Sequence, residues 1–267
     1  MPVTENKHEI PGHWDDAAAT YEATAHPFTS RFAEDALARV TLTPAMRVLD
    51  VAAGTGALAL AAARSGAQVL ATDFSAGMVA RIAAAGLANV EARVMDGQAL
   101  DLPDASFDAV FSVFGVILFP DWRKGLVEMA RVTRPGGLGV LATWQSEGAA
   151  TFLLLSQIRR RLFPKLDGKN KLPEGAVALG DPEWLAAALV DAGFRDPAID
   201  AVTHDFELRV EALDRPETLF GMSQDWVALS AAQQAAVVEE VRRMAGDRAI
   251  LPIPSTALIA VAERQAR

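Results

Sequence analysis

At 267 residues, 51% hydrophobic and 22% charged, the chain is long enough for one large domain with a core of its own, and its composition excludes disorder. A net charge of −9 and a pI near 5.0 disfavour docking on phosphate backbones, so nucleic acid is not the expected partner. The absence of cysteine excludes disulfides, thiolate metal sites and a cysteine nucleophile, and it suits a reducing cytoplasm.

Met1 to Gly12 is polar and lacks the apolar stretch of a signal peptide, so a loose lead-in is expected. From Trp14 to about Val40, the spacing of Trp14, Ala18, Tyr21, Phe28, Phe32 and Leu37 predicts two helices broken near His26-Pro27. Arg47 to Val51 then reads as a buried strand. It turns through Ala52-Ala53-Gly54-Thr55-Gly56 into an Ala/Leu helix ending near Arg64. Strand, glycine turn, helix is the first half of a mononucleotide-binding unit. Gly54 and Gly56 let a ligand touch backbone, and the helix start presents unpaired N–H groups. Two ligands remain open at this point. Gly54 to Ala59 fits G-x-G-x-x-A, and with Asp73 downstream it suits a nicotinamide dinucleotide. Asp50, at the strand's end, favours instead the ammonium of an amino-acid moiety, as in S-adenosyl-L-methionine, and would repel a pyrophosphate.

Gln68 to Asp73 is the second predicted strand, with Ser75 as N-cap of a helix over Ala76 to Ala85. Asn89 to Met95 is the third strand, and Leu100 to Asp108 a turn whose acids are solvated. Ala109 to Phe114 is continuously apolar, as a parallel strand covered on both faces should be. The run Ala109 to Pro120 is nevertheless too short to span a bilayer. Asp121 caps a helix running to Val132, Arg134 to Gly137 is a stop turn, and Leu138 to Trp144 is the fifth strand. Ala149 to Phe163 is an amphipathic helix ending in Arg159-Arg160-Arg161, a solvated cationic turn. Pro164 to Gly180 is a loop, and Asp181-Pro182-Glu183 starts a helix to Ala192. A sixth strand is expected from about Ile199 to Leu208, helices over 211–247, a break at Pro252-Ile253-Pro254, and a last strand from Thr256 to Ala262 beside strand six.

Asp50-x-Ala52-x-Gly54-x-Gly56 resembles the first motif of the class I S-adenosylmethionine-dependent methyltransferases (the UbiE-like, type 11 branch), with Ala52 in place of its first glycine. Asp73 at a strand end, Asp96 after the next strand, and Arg131-x-x-Arg134-Pro-Gly-Gly before the fifth strand extend the match, in order, over roughly residues 40 to 145. The resemblance implies an α/β fold: a doubly wound, seven-stranded, mostly parallel Rossmann-like sheet with a helical cap. Residues 1–40 would form an N-terminal cap, and 41–267 the methyltransferase domain with cap insertions at about 146–180 and 211–247 enclosing the acceptor. It implies S-adenosyl-L-methionine as cofactor and S-adenosyl-L-homocysteine as product. Asp50 would meet the amino group, Ala52, Gly54 and Gly56 the backbone cradle, and Asp73 the ribose hydroxyls. Phe74 and Met78 would lie beside the adenosine, Asp96 with Gly97 and Gln98 at the adenine, and Ser112, Val113 and Phe114 at the end of strand four facing the cofactor. Trp14 and Tyr21 would close over the methionine end.

The expected protein is a cytoplasmic methyltransferase of small molecules, monomeric or homodimeric, with no nucleic-acid, membrane or metal partner. Tyr21 and His26 lead the candidates for a proton acceptor, ahead of Asp121 and His204, with His13 and His26 flanking the cap helix. A cofactor-binding regulator without turnover and a nicotinamide-dependent oxidoreductase are the alternatives.

Overall fold

The computed structural model describes residues 9–146, 151–166, 173–221 and 223–266. In chain order, helices α1 (Pro11–Thr24) and α2 (His26–Leu37) precede strand β1 (Arg47–Val51), α3 (Ala57–Ala62), β2 (Gln68–Asp73), α4 (Ala76–Ala84), β3 (Val90–Val94) and β4 (Phe107–Val113). There follow α5 (Trp122–Val132), β5 (Thr133–Trp144), α6 (Thr151–Leu162), α7 (Glu174–Ala178), α8 (Pro182–Ala192) and β6 (Phe194–Arg209). The chain closes with α9 (Pro216–Phe220), α10 (Gln224–Val227), α11 (Ala231–Ala245) and β7 (Ile250–Arg264).

The seven strands lie in the order β3-β2-β1-β4-β5-β7-β6. β1 to β5 pair in parallel, and β7 enters antiparallel to β5. The chain reverses its winding between β1 and β4, so the crevice for a ligand opens outside the carboxyl ends of those two strands. Their inward residues explain the placement: Val48, Leu49, Val51, Ala109, Val110 and Phe111 are all fully buried, as a strand covered on both faces requires. Three helix starts obey local chemistry. Ser75 Oγ accepts from Met78 N–H at 3.1 Å, Asp121 from Lys124 N–H at 3.1 Å, and Asp181 from the N–H groups of Glu183 and Trp184 at 2.9 and 3.0 Å.

The chain forms two compact units. The first, from residues 1–146, 173–202 and 257–267, holds the parallel sheet and its flanking helices. The second, from 147–172 and 203–256, has its own apolar cluster of Leu155, Ile158, Trp226, Val237, Val241 and Ile253. On α11, Val237 and Val241 are fully buried. Arg159, expected in solvent, is buried and pairs with Asp225 at 3.2 Å, while Arg161 pairs with Glu240, so this cationic turn holds α6 to its neighbours.

Several boundaries depart from sequence patterning. Arg134 to Gly137 does not separate helix from strand: β5 begins at Thr133, and the four residues bulge between the register pairs Phe107↔Thr133 and Ala109↔Leu138. Part of the loop over 164–180 is the short helix α7; residues 167–172 lie outside the described residues. β6 starts at Phe194 rather than near Ile199. Pro252 and Pro254 do not break β7, which runs from Ile250 to Arg264. β5 pairs only with Ala257–Glu263, so the prolines fall where that side of β7 has no β5 partner and a missing N–H costs no ladder bond.

Candidate active site

The β1–α3 turn is built by backbone strain and a buried carboxylate. Ala52, Gly54 and Gly56 have φ of 55°, 55° and 91°. Gly54 and Gly56 meet this without penalty; Ala52, standing where the motif has glycine, does not. Its methyl is accommodated because Gly115 faces it: a Cβ at Gly115 would lie 2.5 Å from Ala52 Cβ. Gly56, the N-cap of α3, has no side chain to cap with, and Asp50 substitutes by accepting from Ala59 N–H at 3.0 Å. Burial pushes the Asp50 carboxyl up to about 8, opposed by the Ala59 bond and reinforced by the charge of Asp73.

Asp73 closes the β2–α4 turn. One oxygen accepts from Gly54 N–H at 2.9 Å and the other from Ser75 N–H at 3.0 Å, so this carboxylate ties the two turns together. Burial again raises its pKa, with the Ser75 and Gly54 bonds opposing.

Above these turns lies the α1–α2 junction. The Tyr21 ring is 3.7 Å from the position a Cβ on Gly54 would take, and Trp14 packs edge-on against it at 6.1 Å. Burial raises the Tyr21 pKa, a bond with Thr29 opposes, and Asp73 and Asp50 raise it further, so the phenol is neutral and serves as a donor rather than a base. His26 Nδ1 lies 2.6 Å from Thr55 Oγ1, and burial lowers the imidazole pKa against the charge of Glu22. A neutral imidazole therefore sits on the glycine turn. Asp15 on α1 accepts from Ser75 Oγ at 2.6 Å and from Gly77 N–H at 2.7 Å; the Ser75 bond is the main reason its pKa is lowered.

The remaining expected residues separate by role. Ser112 is fully buried, donating to Val51 O at 2.9 Å and accepting from Val116 N–H at 3.2 Å, which locks the end of β4 against β1. Val113 is half-buried. Phe114, at φ 61°, stacks on Trp144 with ring centroids 3.9 Å apart and planes within 8°. Phe74 is half-buried and Met78 fully buried on α4. Asp96 accepts from Gln98 N–H and from its side-chain amide, Gln98 in turn accepts from Asp121 N–H, and Gly97 has no room for a Cβ beside Phe119. Asp121 caps α5, accepting from Lys124 N–H at 3.1 Å. His13 packs edge-on against Trp14, and His204 lies on β6 in the second unit.

Two participants escape sequence reading. Asp15 looks like one of two solvated helix acids, and its partner is 60 residues away, so no local signal marks it. Thr55 had a signal: a hydroxyl set between two turn glycines.

The geometry suits S-adenosyl-L-methionine. A Cβ-free cradle at Gly54 admits a ligand against backbone, and the two buried acids Asp50 and Asp73 beside it favour a cationic, hydroxyl-bearing guest over a pyrophosphate. Residues 48–137 match the family of the methyltransferase domain. The demethylmenaquinone methyltransferase of Mycolicibacterium gilvum is 40% identical over 210 residues, 73% of this chain and 90% of that protein. That of Corynebacterium efficiens is 38% identical over 167 residues, 59% of this chain and 71% of that protein. The chain belongs to the class I S-adenosylmethionine-dependent methyltransferases.

The fold of this methyltransferase is also that of Haemonchus contortus phosphoethanolamine N-methyltransferase 2, solved with phosphomonomethylethanolamine and S-adenosylhomocysteine: TM-score 0.59, 17% identity, covering all of this chain and 61% of that one. Its cofactor is S-adenosyl-L-methionine, and the dinucleotide alternative falls. A recess lined by Arg47, Gln68, Asn89 and Arg93 lies at the amino ends of β1 to β3, the end of such sheets where cofactors do not bind. No helix among the described residues is long and apolar enough to cross a membrane, and none of their acidic or histidine side chains cluster as a metal site.

Proposed function

We propose that this methyltransferase acts on a small, uncharged aromatic acceptor. The observation that carries this is the aromatic wall at the carboxyl ends of β4 and β5. Phe114 and Trp144 stack, Phe28 lies parallel to Trp144 within 9°, and Phe32 meets both Phe114 and Trp144 edge-on. Gly115, next to Phe114, abuts Ala52 of the cofactor turn, so the wall adjoins the cradle. Planar rings recognise planar rings by offset and edge contacts. The relatives named above act, by their names, on a quinone, which agrees in class.

When bound, the cofactor supplies an electrophilic methyl group on a sulfonium. Asp50 would hold its amino group, the Ala52–Gly56 backbone its chain, Asp73 the ribose, Phe74 and Met78 the adenosine face, and Asp96 to Gln98 the adenine. Trp14 and Tyr21 would keep water from the reacting end, which favours a transfer that neutralises charge. Where the acceptor carries a hydroxyl or a ring proton, the neutral His26 imidazole takes that proton, Tyr21 being held as a phenol. Much of the acceleration would come from orientation alone.

The test offers a panel of hydroquinones, phenols, amines and carboxylates together with S-adenosyl-L-methionine, with mass detection of a gained methylene. Methylation of phenolic or quinol acceptors is expected. Methylation of amines or carboxylates alone would overturn the acceptor class.

A further inference from the structure

The two cofactor turns do not hold themselves. Within the β2–α4 turn, Ser75 Oγ is shared: it accepts from Met78 N–H and donates to Asp15, and the same Asp15 oxygen takes Gly77 N–H. Gly77 is where α1 approaches closely, since a Cβ there would lie 2.9 Å from Asp15 Cα and 3.0 Å from its carbonyl oxygen. Arg81 on α4 and Glu22 on α1 add an ion pair at 2.6 Å, one turn beyond Gly77 on α4 and two turns beyond Asp15 on α1. On the β1–α3 side, Thr55 is 2% exposed, and its hydroxyl meets His26 at the start of α2. The segment before β1 thus reaches both turns from one side, and Asp73 joins those turns beneath it.

We propose that Asp15 and Thr55 are positioning residues for cofactor binding, through which the α1–α2 pair clamps the β2–α4 and β1–α3 turns into their binding geometry. This rests on the cofactor lying across those turns. Asp15 acts through Ser75, whose N–H is held by Asp73. Thr55 acts through its neighbours Gly54 and Gly56, whose left-handed conformations the cradle needs. Cofactor binding and docking of the helix pair are then linked, and loosening either contact lowers affinity without removing a group that touches the cofactor.

The experiment titrates S-adenosyl-L-homocysteine into the full-length protein by calorimetry. Asp15→Ala and Thr55→Val should each weaken binding by about tenfold, the scale of a lost short hydrogen bond. Asp15→Asn and Thr55→Ser, which keep the acceptor and the hydroxyl, should bind within about threefold of wild type. Gly77→Ala touches no polar group but pushes α1 away, so it should match Asp15→Ala, and the two together should be no worse than one, as a shared mechanism requires. Asp73→Asn separates the failures. If it leaves affinity unchanged, the cofactor does not lie across these turns and the proposal falls with that placement. If it weakens binding while Asp15→Ala, Gly77→Ala and Thr55→Val bind normally, the clamp alone is wrong. Equal losses in the Ala and Asn variants at Asp15 would also overturn it, because hydrogen-bond acceptance would then be irrelevant.

Discussion

Ala52 holds a left-handed conformation that costs an L-residue about 1–2 kcal/mol, and Gly115 is what allows its methyl to stay. Gly115→Ala would place a methyl 2.5 Å from Ala52 Cβ and 2.9 Å from Ser112 Oγ, and should destabilise the fold by roughly 1–3 kcal/mol. Ala52→Gly alone should be close to neutral, since relieved strain offsets the freer unfolded chain. In the double variant part of the loss should return, and a double-mutant cycle in urea measures it; strict additivity would show that the two methyls never meet. Asp50 makes a different prediction, with a definite sign. Its carboxyl titrates near 3.8 in the unfolded chain and at about 8 when buried here. Between those values the folded chain keeps a proton that the unfolded chain has released. The contribution is therefore full below pH 3.8 and is lost as pH rises toward about 8. The unliganded melting temperature should fall with pH across that window, and Asp50→Asn should flatten the slope. Parallel slopes for the two proteins would show that Asp50 is ionised throughout. Placing an ammonium beside Asp50 favours its ionised form, so cofactor binding near pH 7 should release a proton, read as a dependence of the calorimetric enthalpy on buffer, and absent in Asp50→Asn.

At the scale of elements, α2 joins two tasks: its start meets Thr55, and two turns on Phe32 is fully buried against the rings that end β4 and β5. The wall these elements form should serve the acceptor and not the cofactor. Trp144→Leu removes the half-buried ring that stacks on Phe114 while keeping apolar bulk. The acceptor KM should rise by about threefold to tenfold, the worth of an aromatic pair beyond its area, with the affinity for S-adenosyl-L-homocysteine unchanged. A loss of cofactor affinity with an unchanged acceptor KM would move the wall to the cofactor side. Element starts were legible in the residues because their chemistry is local: Ser75, Asp121 and Asp181 each cap the helix that follows within three residues. The continuity of β7 through Pro252 and Pro254 was not, because it depends on how far β5 extends alongside.

For the whole molecule, the chain divides into two units with separate apolar clusters, and the second is held partly by a buried ion pair. Arg159 and Asp225 are 9% and 13% exposed, so Asp225→Ala would remove the charge partner of a nearly buried guanidinium and cost about 3–5 kcal/mol. Amide exchange should accelerate in α6 and α11 while β1 and β4 stay protected; uniform acceleration would mean that the second cluster has no stability of its own. By itself, the amino-acid sequence determined the sheet's class, the glycine turn with Asp50 and Asp73, and the family. Each rests on short motifs met in order along residues 40 to 145, and within each motif backbone conformation and hydrogen bonding are set by near neighbours. Only the tertiary structure decided that Asp15 caps α4, that His26 meets Thr55, that Ser112 is spent locking β4 to β1, and that Arg159 is buried. Those contacts join segments about 30 to 65 residues apart. A polar side chain's fate, solvated or buried and bonded, is set there by which surface packing brings against it.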